Sequence, residues 1–162
     1  MEQEIQLNII GLVYNQTVVG TYGLVLSEAT GNRRFSVMIG EPEAQSIALR
    51  LNNKKSPRPL THDLIHNILG IFSAKLDKIV IYNMVNDVFY SELHIRTADG
   101  VQVVDARTSD AVALAVRSDS PVFIRASILD IVGSAIESQQ ETVAEEEDGI
   151  DAESLTVEDL DA

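Results

Sequence analysis

The chain has 162 residues, 45% of them hydrophobic, and this length and composition predict one globular domain of ordinary size. Acidic residues outnumber Lys and Arg by 25 to 12, so the formal net charge is -13, which argues against a generally basic nucleic-acid-binding surface. The absence of cysteine excludes a disulfide framework, a thiol nucleophile and every zinc or iron–sulfur site built on thiolates.

The negative charge is concentrated at the C-terminal end of the chain. Residues 137–162 hold eleven acids and no Lys or Arg, whereas residues 1–136 hold 14 acids against 12 bases. We therefore expect a nearly neutral globular domain over 1–136, followed by an acidic, disordered tail over 137–162 that can contact a protein partner.

Neither export nor membrane insertion is predicted. The first residues are acidic and lead directly into an alternating pattern, without the basic and apolar regions of a signal peptide. The longest apolar runs are also too short to span a bilayer. The sequence therefore predicts a cytoplasmic protein without a membrane partner.

The first third of the chain changes from a strand period to a helix period. Residues 5–9 alternate between apolar and polar side chains, which is typical of a strand with one buried face. Two further alternating runs, 22–26 and 35–39, surround a turn-forming segment and predict a hairpin. Apolar residues at i, i+3, i+4 and i+7 over 44–51 then predict a helix with one buried stripe.

A second helix is predicted to follow a surface loop, with Thr61 as its N-cap. Its polar residues His62 and His66 should lie near the solvent side. Five apolar residues should line its buried side: Leu64, Ile65, Ile68, Leu69 and Phe72.

The remaining elements are predicted to mix strands and helices. Apolar or alternating runs at 79–85, 89–96 and 101–104 predict three strands. Residues 109–117 predict a helix whose central residues, 111–116, are apolar on all sides, and a predicted short strand at 121–124 precedes a last helix capped by Ser127. This order predicts a mixed α/β fold of α+β character: a mixed sheet with antiparallel hairpins packed against about four helices, rather than a doubly wound parallel sheet.

Two segments, 58–64 and 105–111, concentrate the reactive groups. Each places an Arg ahead of a hydroxyl residue and then an Asp in the first turn of a helix. A helix N-terminus and a guanidinium group both attract phosphate, and a divalent cation can lie between the Asp carboxylate and the phosphate. His62 can transfer a proton, because an imidazole titrates near neutral pH. The combination is suited to phosphodiester hydrolysis.

The same pattern also has a structural interpretation. An Asp in a first helical turn complements the helix dipole, and Thr or Ser is an ordinary cap. Asp105, Arg107 and Asp110 can form an ion-pair cluster that satisfies itself. The pair His62 and His66 has the spacing of two metal ligands on a helix but lacks a third.

Three sequence blocks resemble the bifunctional nuclease domain family of bacteria and plants: Ile39–Ala44, Arg58–Leu64 and Asp105–Ala115. In order and spacing the resemblance covers roughly residues 5–132. It implies an α/β domain with nuclease activity on DNA and RNA and a requirement for a divalent metal. Thr108 departs from the family pattern, which usually has Pro at that position. The acidic tail lies outside the resemblance.

The resemblance implies a set of site residues within these blocks. They are Glu43 in the first block, Arg58, His62 and Asp63 in the second, and Asp105, Arg107, Ser109 and Asp110 in the third.

We therefore predict a nuclease that hydrolyses phosphodiester bonds of DNA, RNA or both with the help of Mg²⁺ or Mn²⁺. The predicted catalytic residues are His62, Asp63, Asp105 and Asp110, the predicted metal ligands are Asp63, Asp105, Asp110 and Glu43, and the predicted substrate-binding residues are Arg58, Arg107 and Ser109.

The alternative is a non-catalytic binding or regulatory domain in which the Arg and Asp residues form structural ion pairs. Exposed strand edges further suggest a homodimer.

Overall fold

The computed structural model describes residues 2–137, in which seven strands and four helices follow one another. They are β1 (Glu4–Tyr14), β2 (Thr21–Glu28), β3 (Arg34–Gly40), α1 (Glu41–Leu51), α2 (Thr61–Ile71), β4 (Lys75–Val85), β5 (Val88–Thr97), β6 (Gly100–Arg107), α3 (Thr108–Ser118), β7 (Val122–Arg125) and α4 (Ala126–Glu137). The acidic tail was predicted over 137–162; Glu137 is the last residue of α4, and residues 138–162 lie outside the described residues. No helix within 2–137 is both long and apolar enough to cross a membrane.

All seven strands belong to one sheet, in the order β3-β2-β1-β7-β4-β5-β6. Neighbouring strands are antiparallel except β4 and β7, which are parallel. The short strand β7 thereby joins an antiparallel unit of β1–β3 to a second antiparallel unit of β4–β6. The predicted fold class, a mixed sheet with antiparallel hairpins and four helices, is confirmed.

The hydrophobic core lies on the concave face of a strongly curved sheet. The rings of Phe35 on β3 and Phe89 on β5 approach to 5.5 Å between centroids, although in a flat sheet five strand spacings would separate them by roughly 24 Å. Helices α1, α3 and α4 contribute buried side chains to the same core, among them Ile47, Val112 and Leu129.

Helix α3 is the buried centre of the helical layer. Ala111, Val112, Ala113 and Ala115 are at most 1% exposed, as the uniformly apolar sequence predicts. Small side chains let neighbouring helices approach closely, and both α1 and α2 pack on α3. Groups on three separate helices can therefore meet at the beginning of α3.

Helix α2 lies at the periphery, and its orientation differs from the prediction. Leu64, Ile68 and Phe72 are exposed rather than buried, whereas His62 is buried. The reason is that both ring nitrogens of His62 find polar partners on α1 and α3, so burying the imidazole leaves no unsatisfied polar atom.

Two residues predicted to be helix N-caps lie inside their helices instead. Thr61 is the first residue of α2 and not its N-cap, and the carboxylate of Asp63 instead accepts a hydrogen bond from the backbone N–H of Leu60 at 2.8 Å. Ser127 lies inside α4, where its backbone N–H donates to Glu2 at 2.8 Å. In both cases an acidic side chain satisfies a free N–H group at the helix start.

Candidate functional site

The three sequence blocks meet where α1, α2 and α3 begin. A continuous chain of contacts, which we call the helix-start cluster, links five side chains: Glu43, Arg107, Asp110, His62 and Ser46. All except Ser46 lie within or immediately before the first turn of a helix. The residues are up to 67 positions apart in the sequence and are brought together by the packing of α1 and α2 on α3.

Arg107 is the outer member of the helix-start cluster. Its Nε donates to Oδ2 of Asp110 at 2.9 Å and its Nη2 donates to Oε1 of Glu43 at 2.9 Å. The side chain is nevertheless 68% exposed, and Nη1 makes no hydrogen bond to another described residue. The hydrogen bonds from Arg107 to Asp110 and Glu43, in that order of effect, raise the pKa of the guanidinium. A permanently charged donor is thus fixed in place and faces solvent.

His62 is the inner member of the helix-start cluster. Its Nε2 is hydrogen-bonded to Oδ1 of Asp110 at 2.8 Å and its Nδ1 to Oγ of Ser46 at 2.6 Å. The imidazole and the Ser46 hydroxyl are both buried. The serine therefore cannot act as a nucleophile towards an external substrate, and His62 reaches the surface only through Asp110.

Asp110 connects the exposed and buried parts. Burial alone would raise the pKa of its carboxyl, but the hydrogen bonds from His62 and Arg107 and the charge of Arg107 outweigh burial and hold the pKa below the usual value. Its side chain is 29% exposed. The carboxylate is therefore ionised at neutral pH and accessible from the same side as Arg107.

Asp63 belongs to a second, separate ion pair. Its Oδ1 accepts from Nε of Arg117 at 2.7 Å, while its Oδ2 accepts the cap hydrogen bond from Leu60. Burial acts to raise the pKa of Asp63, but the Leu60 N–H and Arg117 lower it by more. Arg117 is only 6% exposed and also donates to the carbonyls of Ala113 and Ser46. This arrangement holds α1, α2 and α3 together.

The sequence reasoning missed Ser46 and Arg117, which couple the two ion pairs. The Ser46 hydroxyl contacts His62 and its carbonyl accepts from Arg117. Ser46 stands one turn after Glu43 on the buried side of α1, and a polar residue within an apolar stripe is the one sequence signal that pointed to it. Arg117 resembled an ordinary basic residue in the last turn of a helix.

The other predicted site residues lie outside the helix-start cluster. Asp105 is on the outer face of β6, where its carboxylate accepts from the Tyr82 hydroxyl at 2.8 Å, a contact that raises the pKa of Tyr82. Arg58 is exposed in the loop before α2 and forms no ion pair with another described residue. Ser109 is buried, which argues against direct contact with a substrate.

Thr108, the departure from the family pattern, has a specific partner. Its Oγ1 lies 2.6 Å from Oγ of Ser91 on β5, and both hydroxyls are buried. A proline at position 108 could not make this hydrogen bond. Thr108 therefore fastens the start of α3 to the sheet, next to the helix-start cluster.

The arrangement of donors does not fit a metal ion. Among residues 2–137, no group of three His, Asp or Glu side chains is placed to hold one. The carboxylates of Asp63 and Asp110 are instead paired with the guanidinium groups of Arg117 and Arg107, so a positive charge of the protein already lies beside each. Asp105 contacts Tyr82 instead of joining the other acids.

A cavity of ≈ 300 Å³ lies at the opposite, C-terminal ends of α2 and α3. Its lining includes His66, Lys75 and Asp119. Arg117 also lines it, but none of the helix-start cluster does. The candidate site is therefore an exposed surface at the helix starts and not this cavity.

Comparison with known proteins agrees with the three sequence blocks. The family model described as the bifunctional nuclease domain matches residues 24–137. Two relatives from Mycobacterium tuberculosis are each 37% identical over 131 residues, which cover 79% of this chain and 78% of the relative. They are Uncharacterized protein MT1877 of strain CDC 1551 / Oshkosh and Uncharacterized protein Rv1829 of strain ATCC 25618 / H37Rv.

Proposed function

The chain belongs to the bifunctional nuclease domain family, and from this premise we propose that it hydrolyses phosphodiester bonds of DNA, RNA or both at the helix-start cluster. One observation carries the proposal. Residues of all three family blocks meet in the helix-start cluster, because Glu43 and Asp110 hold the guanidinium of Arg107 and His62 contacts Asp110. The Arg107 guanidinium nevertheless faces solvent. An oriented cation with free N–H groups is the part of the cluster that a phosphate can reach.

Arg107 supports the binding of one phosphate. Its Nη1 has no protein partner among the described residues and can donate to a phosphoryl oxygen. Because Glu43 and Asp110 fix the orientation of the guanidinium, little rotamer freedom is lost on binding. Arg58, exposed four residues before His62, offers a second cation for a neighbouring phosphate.

Asp110 and His62 support proton transfer next to that phosphate. The ionised Asp110 can accept a hydrogen bond from a water molecule and orient it towards phosphorus. As the water attacks phosphorus and the bond to the leaving oxygen breaks, Asp110 can accept the proton of the water, while Nε2–H of His62 keeps its hydrogen bond to the carboxylate. The leaving oxygen is protonated from solvent. Ser46 holds the imidazole from its other side. In this scheme His62 acts through Asp110 and is a positioning residue.

Aromatic side chains near Arg107 support nucleic acid as the substrate. Tyr90 lies directly opposite Arg107 in the β5–β6 pairing, and its ring is 6.3 Å from that of Tyr82. Tyr90 is partly exposed. Bases stack on such rings in proteins that bind single strands, so a base can rest on β5 while its phosphate contacts Arg107.

A divalent cation stays a prediction from the family resemblance. The carboxylates present are paired with Arg and His in a way that does not form a cation site, so none of the steps above uses a metal. Removal of metal tests this directly: cleavage that survives EDTA would agree with the observed pairing, and cleavage that requires Mg²⁺ or Mn²⁺ would mean that the ion pairs rearrange.

The proposal is tested by comparing two exposed arginines. Tag-free protein is incubated with labelled single- and double-stranded DNA and RNA, each with Mg²⁺, Mn²⁺ or EDTA. Arg107→Ala should lower the cleavage rate by about 100-fold, the effect of removing one preorganised donor to a reacting group. Arg96→Ala is the matched control, since Arg96 is 61% exposed and also paired with an Asp. Equal rates for both variants and wild type would refute the proposed site.

The non-catalytic alternative is favoured by the other ion pair. Asp63 and the nearly buried Arg117 have the geometry of a structural contact, with every carboxylate oxygen of Asp63 occupied. Under this alternative, wild-type protein cleaves no substrate, and Asp63→Asn and Asp110→Asn both lower the melting temperature. Under the nuclease proposal, Asp110→Asn abolishes cleavage while Asp63→Asn mainly lowers stability.

A further inference from the structure

The outer face of the sheet carries two cations and two aromatic rings on the neighbouring strands β7, β4, β5 and β6. Phe89 of β5 packs against the core, so its neighbour Tyr90 points to the opposite face. The Tyr90 ring lies 6.3 Å from the ring of Tyr82 on β4, measured between centroids. Arg125 on β7 and Arg107 at the end of β6 complete a set of four residues, which we call the outer row.

Tyr82 holds the neighbouring members of the outer row in place. The guanidinium carbon of Arg125 lies 5.6 Å from the centroid of the Tyr82 ring, which is a cation–π distance. Nη1 of Arg125 also donates to the Tyr82 carbonyl at 3.5 Å, and the Tyr82 hydroxyl donates to Asp105 at 2.8 Å. A charged donor and an aromatic surface are therefore fixed side by side before a ligand binds, which reduces the conformational entropy lost on binding.

The cations at both ends of the outer row can contact phosphate. Arg107 lies directly opposite Tyr90 in the β5–β6 pairing, and its exposed guanidinium belongs to the helix-start cluster. At the other end, Glu4 lies opposite Arg125 in the β1–β7 pairing but is bound to Lys78 at 2.7 Å. Arg125 can therefore donate to a phosphate, and Glu4 marks the point beyond which a phosphate is repelled.

Two further acids lie beside the outer row. Glu92 and Asp105 are opposite each other in the β5–β6 pairing, two residues along each strand from Tyr90 and Arg107. Their negative charge disfavours a phosphate next to the row. A bound polyanion is therefore directed along the row, across the strands, and towards the helix-start cluster.

The length and chemistry of the outer row fit a single strand of nucleic acid. Three strand spacings span roughly 14 Å, enough for about four nucleotides at the stacked spacing of about 3.4 Å. We propose that the outer row is a subsite for single-stranded DNA or RNA, with a base on the Tyr90 ring and phosphates of the same strand on Arg125 and Arg107. A duplex does not fit, because its bases are already paired and stacked. The inference rests on the proposed function, since the row leads the strand to the helix-start cluster.

Binding can be measured separately from cleavage. A labelled single strand with phosphorothioate linkages, which resist hydrolysis, is titrated with the full chain in EDTA, once as DNA and once as RNA, and fluorescence anisotropy gives Kd. Tyr90→Ala should weaken binding at least about fivefold, the lower bound for the loss of one stacked base. The same variant should leave Kd unchanged for an abasic strand, which has the phosphates without the bases.

Arg125 should give a different signature. Arg125→Ala should reduce the slope of log Kd against log salt by about 0.7, the value for one phosphate contact to a single strand. Arg125→Lys keeps the charge and should restore the slope. Tyr90→Ala should leave the slope as in wild type, because a stacked base releases no counterion.

Two positions outside the outer row provide matched controls. Tyr14 is 36% exposed and packs edge-on against another tyrosine, as the 38% exposed Tyr90 does. Arg96 lies on the same face of β5 as Tyr90 but pairs with Asp77. Tyr14→Ala and Arg96→Ala should bind every probe as wild type does. Unaltered circular dichroism and melting would show that all variants fold.

Failure of this inference can be distinguished from failure of the proposed function. If wild-type protein cleaves but Tyr90→Ala and Arg125→Ala bind as wild type does, the outer row is wrong and the cleavage site stands. If wild-type protein cleaves nothing but both variants lose binding as expected, the outer row is right and the nuclease proposal fails. Absence of wild-type binding at high micromolar concentration, or an equal loss in Tyr14→Ala, would overturn the inference.

Discussion

Asp63 and Asp110 occupy the same position in their helices, the third residue of α2 and of α3, but serve different arginines. Arg107 lies three residues before Asp110, within reach along the same helix start, and forms an exposed pair with it. Arg58 lies five residues before Asp63 and does not contact it; a nearly buried arginine from the end of α3 does so instead. Of the two similar sequence segments, 105–111 therefore forms an accessible ion pair and 58–64 contributes to an internal one.

Both carboxylates should make the fold sensitive to acid. Their pKa values are lowered in the folded state, so the stability they contribute is complete above the ordinary pKa of aspartate and is lost as the pH falls through the lowered values. We expect the free energy of unfolding to fall from about pH 5 downwards. Urea unfolding from pH 7 to pH 2 should show a shallower decline for Asp63→Asn/Asp110→Asn than for wild type.

A matched control separates these two carboxylates from the remaining acids. Asp99→Asn removes an exposed carboxylate from the β5–β6 turn and should leave the acid dependence as in wild type. If the double variant and Asp99→Asn follow the wild-type curve equally, the ion pairs do not stabilise the folded state.

The buried hydroxyl pair Ser91 and Thr108 gives a second prediction at this scale. Thr108→Val should destabilise the protein by about 1–3 kcal/mol, because it leaves the Ser91 hydroxyl buried without its partner. Adding Ser91→Ala should recover part of that loss, since the double variant has no unsatisfied group. Chemical denaturation of both single variants and the double variant measures the coupling, and strictly additive losses would contradict it.

At the scale of elements, α2 is attached to the molecule by few contacts. Three polar contacts of its first turn, His62 with Asp110 and with Ser46 and Asp63 with Arg117, hold it beside its apolar packing on α3. Helix α3, in contrast, is buried from Thr108 to Ala115 with the exception of Asp110. Local stability should therefore differ between two helices of equal length that touch each other.

Hydrogen exchange should resolve this difference. Amide groups of α2 should exchange faster than those of α3. Arg117→Ala should accelerate exchange in α2 by roughly ten- to a hundredfold, as expected from the loss of about 1.5–3 kcal/mol for a charged hydrogen bond. Mass spectrometry of peptides from both helices provides the measurement. Equal protection of α2 and α3 would show that the helix has further support.

The sequence predicted the structure correctly where a local pattern alone determines which side of a helix or strand is buried. Alternation and helical periodicity predicted the mixed sheet, four helices and the buried α3, because each reports which faces of one element are apolar. The same reasoning was only partly right for α2: Ile65 packs against the core as predicted, but Leu64, Ile68 and Phe72 are exposed and His62 is buried. Its burial depends on Ser46 and Asp110, which come from two other helices, and no pattern within α2 could show that these partners exist.

The sequence predicted which residues belong to the candidate site better than it predicted which residues contact one another. The motif blocks identified Arg107, Asp110 and His62, which the structure brings together. They did not show that Asp63 pairs with Arg117 or that Asp105 points to Tyr82, because those contacts depend on how α3 ends and how the sheet curves. The catalytic roles of these residues stay predictions.

At the scale of the whole molecule, charge is divided between a nearly neutral domain and an acidic tail. Residues 138–162, outside the described part of the chain, hold ten acids and no Lys or Arg. We predict that they compete with nucleic acid for Arg58, Arg107 and the loop lysines Lys54 and Lys55. Deleting 138–162 should increase affinity for a labelled single strand severalfold at low salt, and this difference should vanish at high salt. Fluorescence anisotropy provides the affinities.

Charge and length of the tail can be distinguished with a second variant. Replacing its acids with Asn and Gln keeps the length and should have the same effect as the deletion. Unchanged affinity of the deletion variant at low salt would refute competition by the tail.

The position of β1 has a practical consequence for anyone who trims this protein. The family model begins at residue 24, yet β1 lies inside the sheet between β2 and β7. A fragment cut to 24–137 would leave the β2–β3 hairpin with no bridge to the other four strands and would uncover two hydrogen-bonding edges at once. We expect such a fragment to aggregate on expression, whereas one covering 2–137 should stay monodisperse by light scattering, because only the longer fragment keeps the strand that connects the two halves of the sheet.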